Sequence, residues 1–366
     1  MRLIYDNTHN KDMFYATGIH VPDPFFYLEK DNKRYTFLDK REIDTFKEKS
    51  SSDIEAVPLE PFLKKAEEMG GNFSRAGKLA LLILREYNPE GEEVEVPSSF
   101  PLFLADLLRE KGIKLHPVSP FFANRAKKSK EEVSKMRESF KKTLSAFEKI
   151  EEILKNSKIE EKKIIFEGKP LTSEELKKEV EKILFFEGME NPEGMVISSG
   201  KHSAFPHHPG SGEIKPGSTI VCDIFPKSRE HGYFADMTRT YVKGEPSQEI
   251  REMYDLVLKA QERALEILRP GITGEEVHKE VCKIFQEAGH EEGFVHGTGH
   301  GLGLEVHEDP YLKPNAKNKL EPGNVFSVEP GLYYPEKGGI RIEDVVCVTK
   351  DGIENLTNYR KRFLIE

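Results

Sequence analysis

The hydrophobic rhythm of the chain changes near residue 125. Before it, short apolar runs alternate with turns. PFFYLEK and RYTFLD read as two strands around the turn residues Lys30 to Lys33. Residues 60–69 read as a short helix. KLALLIL (78–84) is a buried element whose period fits a strand and a helix equally. PSSFPLFLADLLREKG (97–112) reads as one helix that stops at Gly112. The pattern predicts a small α/β domain over residues 1–125.

Residues 127–156 then form one long charged segment. Val133, Met136, Phe140, Leu144 and Phe147 recur at spacings of three and four, which is the apolar stripe of a helix. Beyond it, helices and strands alternate. Thr172 with Glu175, and Thr273 with Glu276, predict capping boxes for helices 173–187 and 274–288, the second ending at Gly289. Ser247 caps a helix running to Leu268. Strands are expected at MVISSG, STIVCDIFP, GYFADMTRTYV, NVFSVEPGLYY and GIRIEDVVCVT, with a hairpin at Asp351–Gly352. Residues 126–366 therefore read as a second domain, with helices followed by strands in each half.

Composition narrows the classes. A chain of 366 residues, 37% hydrophobic and 33% charged, is expected to be soluble and to hold two domains. A net charge of −9 argues against a nucleic-acid partner. No apolar run approaches the roughly 18 residues of a membrane span, so no membrane partner is expected. The N-terminus lacks the apolar core of a signal peptide. Cys222, Cys282 and Cys347 are too scattered for a disulfide framework or a thiolate zinc site. These features predict a cytoplasmic protein.

The chemistry concentrates late in the chain. Nine of the 12 histidines lie between His202 and His307. Asp223 sits in the apolar run IVCDIF, where an unpaired charge would be very costly. Asp236 follows across an expected hairpin whose turn is near Lys227 to Gly232, which predicts the two aspartates side by side on one face. A plain ion pair of Asp223 with Arg239 or Lys227 is the structural alternative. His296, His300 and His307 are threaded through HGTGHGLGLEVHE, whose glycines allow close backbone approach. Glu329 and Glu343 end apolar strands, and Arg341, two residues before Glu343, shares its face. Four carboxylates and an imidazole can hold two divalent cations, which would balance the four negative charges. Without cations, converging carboxylates must take up protons. Oxygen-rich ligation suits manganese first, with cobalt, zinc or iron as alternatives.

The strings IVCDIF, ADMTRT, GTGHGLG, VEPGLY and RIED occur in the order found in the pita-bread metallopeptidases, and segment 190–347 resembles them closely. That family includes methionine aminopeptidase, aminopeptidase P and prolidase. The resemblance implies an α+β protein with a C-terminal pita-bread (creatinase/aminopeptidase) fold. It implies Asp223, Asp236, His300, Glu329 and Glu343 as ligands of a dinuclear site, with Asp236 and Glu343 bridging. Glu329 would also move protons. His207, His296 and His307 fall on the family's substrate-side histidines, and Arg341 on the arginine of its Xaa-Pro-cleaving members. YATGIHVPDPFFYLEKDNKRYTFLD resembles the creatinase-type N-terminal domain, which methionine aminopeptidases usually lack. The sequence departs from the pattern in a longer Asp223–Asp236 loop, and in Phe225 where glycine is usual.

The implied activity is metal-dependent hydrolysis of the bond between an N-terminal residue and proline, with a homodimer as the implied assembly. An Xaa-Pro dipeptidase is the alternative, and it needs a cationic group for the substrate's carboxylate. A metal-free creatinase-like hydrolase and a non-catalytic pita-bread module are disfavoured by the complete set of five ligands.

Overall fold

The computed structural model describes residues 1–49 and 53–366. The chain divides into two compact units, Met1–Ala123 and Asn124–Glu366.

The first unit is built on a six-stranded mixed sheet. Its order is Ile54–Pro58, Lys33–Leu38, Phe25–Lys30, Arg2–Asp6, Val94–Pro97 and Leu115–Val118. Alternation decides what each face buries. Leu3, Phe26 and Leu28 point into a core with Leu81, Leu84 and Leu108. Ile4, Phe25 and Tyr27 point the other way, onto Met13, Phe46 and Phe121. The Lys30–Lys33 turn places Asp31 and Asn32 at φ 51° and 60°, the conformation of a tight hairpin turn. KLALLIL is helical, within Arg75–Tyr87. The single helix expected over 97–112 is shorter, Leu102–Glu110. Pro97 ends a strand instead, and Pro101, having no N–H to give, starts the helix.

The second unit has two similar halves. In each, two helices cover a sheet. Lys130–Asn156 and Ser173–Phe186 pack on the sheet Met195–Ser199, Thr219–Ile224, Met237–Lys243 and Leu364–Ile365. Gln248–Ile267 and Gly274–Glu287 pack on a five-stranded sheet that includes Gly299–Gly301, Val325–Val328 and Asp344–Val348. Ser129 and Thr273 each form a reciprocal capping box with the glutamate three residues on. Thr172 accepts from the Glu175 N–H, but the return bond is missing, so the box expected there is half made. Of the apolar stripe over 133–147, Val133, Met136, Phe140 and Phe147 are buried as the spacing requires, and Leu144 is half-buried against the same core. No helix of the described residues is long and apolar enough to cross a membrane. The cysteines are unpaired.

Candidate metal centre

Strands Thr219–Ile224 and Met237–Lys243 run antiparallel with Asp223 opposite Thr238. Asp236 is therefore a diagonal neighbour of Asp223, not its direct partner as expected. Thr238 fills the gap between the acids. Its Oγ1 donates to Glu343 Oε2 at 2.8 Å and accepts from Arg341 Nε at 3.2 Å.

His300 comes from Gly299–Gly301, the strand beside Val325–Val328. Here glycine is a steric requirement. A Cβ on Gly299 would stand 1.8 Å from the Ser327 carbonyl oxygen, and one on Gly301 2.4 Å from that of Asp309. The close approach lets Ser327 Oγ accept from the His300 N–H and donate to Glu329 Oε1, both at 3.0 Å. One hydroxyl thus orients two candidate ligands.

Ligand-capable atoms of Asp236, His300 and Glu343 all lie within 4.8 Å of one another, and all three residues are buried. His300 Nε2 is 3.1 Å from Glu329 Oε1 and 3.7 Å from Asp236 Oδ2. Asp223 Oδ2 accepts from Arg341 Nη2 at 2.6 Å. The four acids and the imidazole named above thus line one cleft of about 610 Å3 or its floor. The structural alternative for Asp223 is corrected: Arg239 pairs with Asp344, and Lys227 with Glu190. Arg341 does not pair with Glu343 either. Its strand ends at Arg341, so the two-residue alternation is broken before Glu343, and the guanidinium reaches Asp223.

Two buried carboxylate oxygens, Asp223 Oδ1 and Glu343 Oε1, have no hydrogen-bond partner among the described residues. Such atoms are costly to bury, and a cation would satisfy both. The electrostatics carry the same signature. Burial, then the negative charges of Glu343, Asp223 and Glu329, push the Asp236 carboxyl well above its ordinary range. Burial, then Glu329, does the same to Glu343. For His300, burial works against the charged form, but the Glu329 hydrogen bond and the Glu329 and Glu343 charges overcome it and bring the imidazole up to about 9. Burial raises Glu329, yet the His300 hydrogen bond and nearby positive charges bring it down to about 2. The cluster therefore holds protons where a metal site needs lone pairs.

The other histidines divide by their bonds. His296 is locked: Nδ1 is 2.7 Å from the Gly297 carbonyl oxygen and Nε2 2.9 Å from the Tyr333 hydroxyl. That hydroxyl accepts from Arg341 Nη1 at 2.7 Å. His207 and His307 also line the cleft, and the His307 ring lies 4.1 Å from that of His300. The loop carrying His307 is clamped by Glu308, which accepts from Lys128 Nζ at 3.0 Å and Arg125 Nη2 at 2.6 Å. Thr238, Ser327, Tyr333 and Glu308 were not singled out in the sequence. Each is an ordinary polar residue with at least one partner 27 or more residues away in the chain.

Residues 134–350 match metallopeptidase family M24. The chain is 40% identical over 188 residues to the probable dipeptidase PepE of Mycobacterium tuberculosis, covering 51% of this chain and 50% of that protein. It thus spans about half the length of this curated relative. In fold it is similar to the prolidase from Pyrococcus furiosus, with a TM-score of 0.79 at 26% identity, over 98% of this chain and 96% of that one. It is equally similar to the X-Pro aminopeptidase from Thermotoga maritima, with a TM-score of 0.79 at 25% identity, over 100% and 97%. The architecture is the expected pita-bread fold with a separate N-terminal domain. The acidic cluster lies inside the matched segment, and the chain belongs to metallopeptidase family M24.

Proposed function

We propose that the chain hydrolyses the peptide bond between an N-terminal residue and proline, using two divalent cations. The observation that carries this reading is the convergence of four carboxylates and His300 in one cleft, with two carboxylate oxygens left without donors. Asp223, Asp236, His300, Glu329 and Glu343 would hold the ions. His300 would use Nε2, because Nδ1 already faces the Gly301 carbonyl oxygen at 3.2 Å. Oxygen-dominated donors favour manganese. The homodimer is carried over from the family resemblance. When bound, such ions lower the pKa of water and polarise a carbonyl.

The protein's own residues supply the rest. Glu329, which Ser327 and His300 hold by hydrogen bonds, would carry a proton to the leaving nitrogen. His207 and His307 line the cleft as donors for the oxygen that gains charge in the transition state. His296, with both ring nitrogens engaged, positions Tyr333 and Arg341. Met195, Val196, Phe225 and Val306 give the cleft an apolar wall against which a proline ring packs. A bond to proline has no N–H and a fixed φ, so it needs a site shaped by such packing.

Turnover of Xaa-Pro and Xaa-Pro-Yaa peptides by the manganese-loaded protein tests the reading. Absence of cleavage of both contradicts it. His307→Ala is expected to lower kcat by about 10²-fold, the scale of losing one oxyanion donor, while metal content stays at the wild-type level. Loss of metal in that variant would make His307 a ligand instead.

A further inference from the structure

The cleft has two permanently cationic side chains in its lining, Arg341 and Lys313. Arg341 is already committed. It is 4% exposed, and its guanidinium donates to Asp223, the Tyr333 hydroxyl and Thr238. Lys313 is different. It follows the strand Glu308–Leu312 directly and is exposed. Its Cβ is 3.2 Å from where a Cβ on Gly297 would stand, which puts it against the loop that bears His296 and His300. The adjoining Leu312 carbonyl oxygen accepts the Thr298 N–H at 2.7 Å, so this juxtaposition is fixed by the backbone.

The Lys313 ammonium lies 3.8 Å from the centroid of the Tyr311 ring, another lining residue. A cation over an aromatic face keeps its outer side open for an anion. Lys313 forms no ion pair with any described residue. Outside the acidic cluster, the remaining charged lining residue is Glu193, an anion. Lys313 is therefore the free positive charge of this cleft.

We propose that Lys313 binds the free C-terminal carboxylate of an Xaa-Pro dipeptide, which makes the chain a dipeptidase in preference to an aminopeptidase. This rests on the Xaa-Pro reading above. With the scissile carbonyl at the acidic cluster and the proline ring on the apolar wall, the next group along the substrate is the proline carboxyl. In a dipeptide it carries a full negative charge and makes a charge-assisted hydrogen bond with an ammonium. In a longer peptide the same position is a neutral amide, which makes a weaker one.

The test compares an Xaa-Pro dipeptide with its C-terminal amide, using the full chain loaded with manganese. The readout is the ratio of the two kcat/KM values. The wild-type ratio is expected to favour the free acid. Lys313→Met is expected to lower that ratio about tenfold, carried by KM, as loss of one charge-assisted hydrogen bond predicts. Lys313→Arg, which keeps the charge, is expected to hold it within about threefold. A wild-type ratio favouring the amide, or a ratio that Lys313→Met leaves unmoved, overturns the proposal and leaves the Xaa-Pro reading standing. Cleavage of neither substrate by the wild type overturns both.

Discussion

Glu343→Ala is expected to cost about 10³-fold or more in Xaa-Pro turnover and to remove the bound divalent cation with it. The magnitude exceeds the 10–100-fold typical of losing a residue that only supports a ligand. Geometry sets the expectation. Glu343 is 1% exposed, accepts one hydrogen bond from Thr238, and leaves Oε1 without a donor among the described residues. A purely structural carboxylate would have both oxygens satisfied. Stability separates the two roles. Burial keeps the Glu343 carboxyl protonated far above its ordinary range in chelated protein. Removing it there loses little more than one hydrogen bond, about 1 kcal/mol. Elemental analysis with a turnover assay on the same sample checks this. A variant that keeps wild-type metal content and turnover excludes Glu343 from the site.

The second large effect is structural. Arg239 is 1% exposed and spends its donors on five acceptors. Nε reaches the Arg360 carbonyl oxygen, Nη1 those of Thr238 and Glu343, and Nη2 the Asp344 carboxylate and the Tyr359 carbonyl oxygen. It ties strand Met237–Lys243 to the backbone of Glu343 and to the C-terminal segment. Arg239→Met is expected to destabilise the catalytic unit by roughly 3 kcal/mol, the low end for breaking a buried ion pair. The low end applies because Lys361, 3.1 Å from Asp344, remains as a partner. Arg239→Lys should recover little, since an ammonium cannot span five acceptors. Denaturant unfolding measures the loss. A change under about 1 kcal/mol would show that the network is not structural.

What the sequence made legible was whatever depends on local strings. The stripe Val133 to Phe147, the Ser247 and Thr273 caps and the Asp351–Gly352 hairpin all form where they were read. The acids and His300 stood out because carboxylates and glycines are conspicuous inside apolar runs. Partners set by tertiary packing were not legible. The Asp223 partner, Arg341, lies 118 residues away, while the nearer Arg239 and Lys227 are held elsewhere. Nor does alternation carry across a strand end, which is why Arg341 and Glu343 part company. Pro97 and Pro101 show the same limit in the first unit: a continuous apolar run hid a strand, a turn and a helix.

The central claim is that this acidic cluster is a site for two cations, and its protonation gives it a measurable signature. In chelated protein burial and the neighbouring negative charges favour the protonated forms of Asp236 and Glu343, and His300, brought up to about 9, carries a proton at pH 7. Bound cations must displace them, so affinity rises with pH. For His300 the sign for stability runs the other way. Its contribution to the chelated protein is full below its unfolded value, about 6.5, and is lost as pH rises through about 9. Calorimetric titration of chelated protein with manganese at pH 7, in two buffers of different ionisation enthalpy, reads stoichiometry and proton release together. We expect about two ions per chain with net proton release. Binding of less than one ion, or binding that releases no protons, would contradict the assignment.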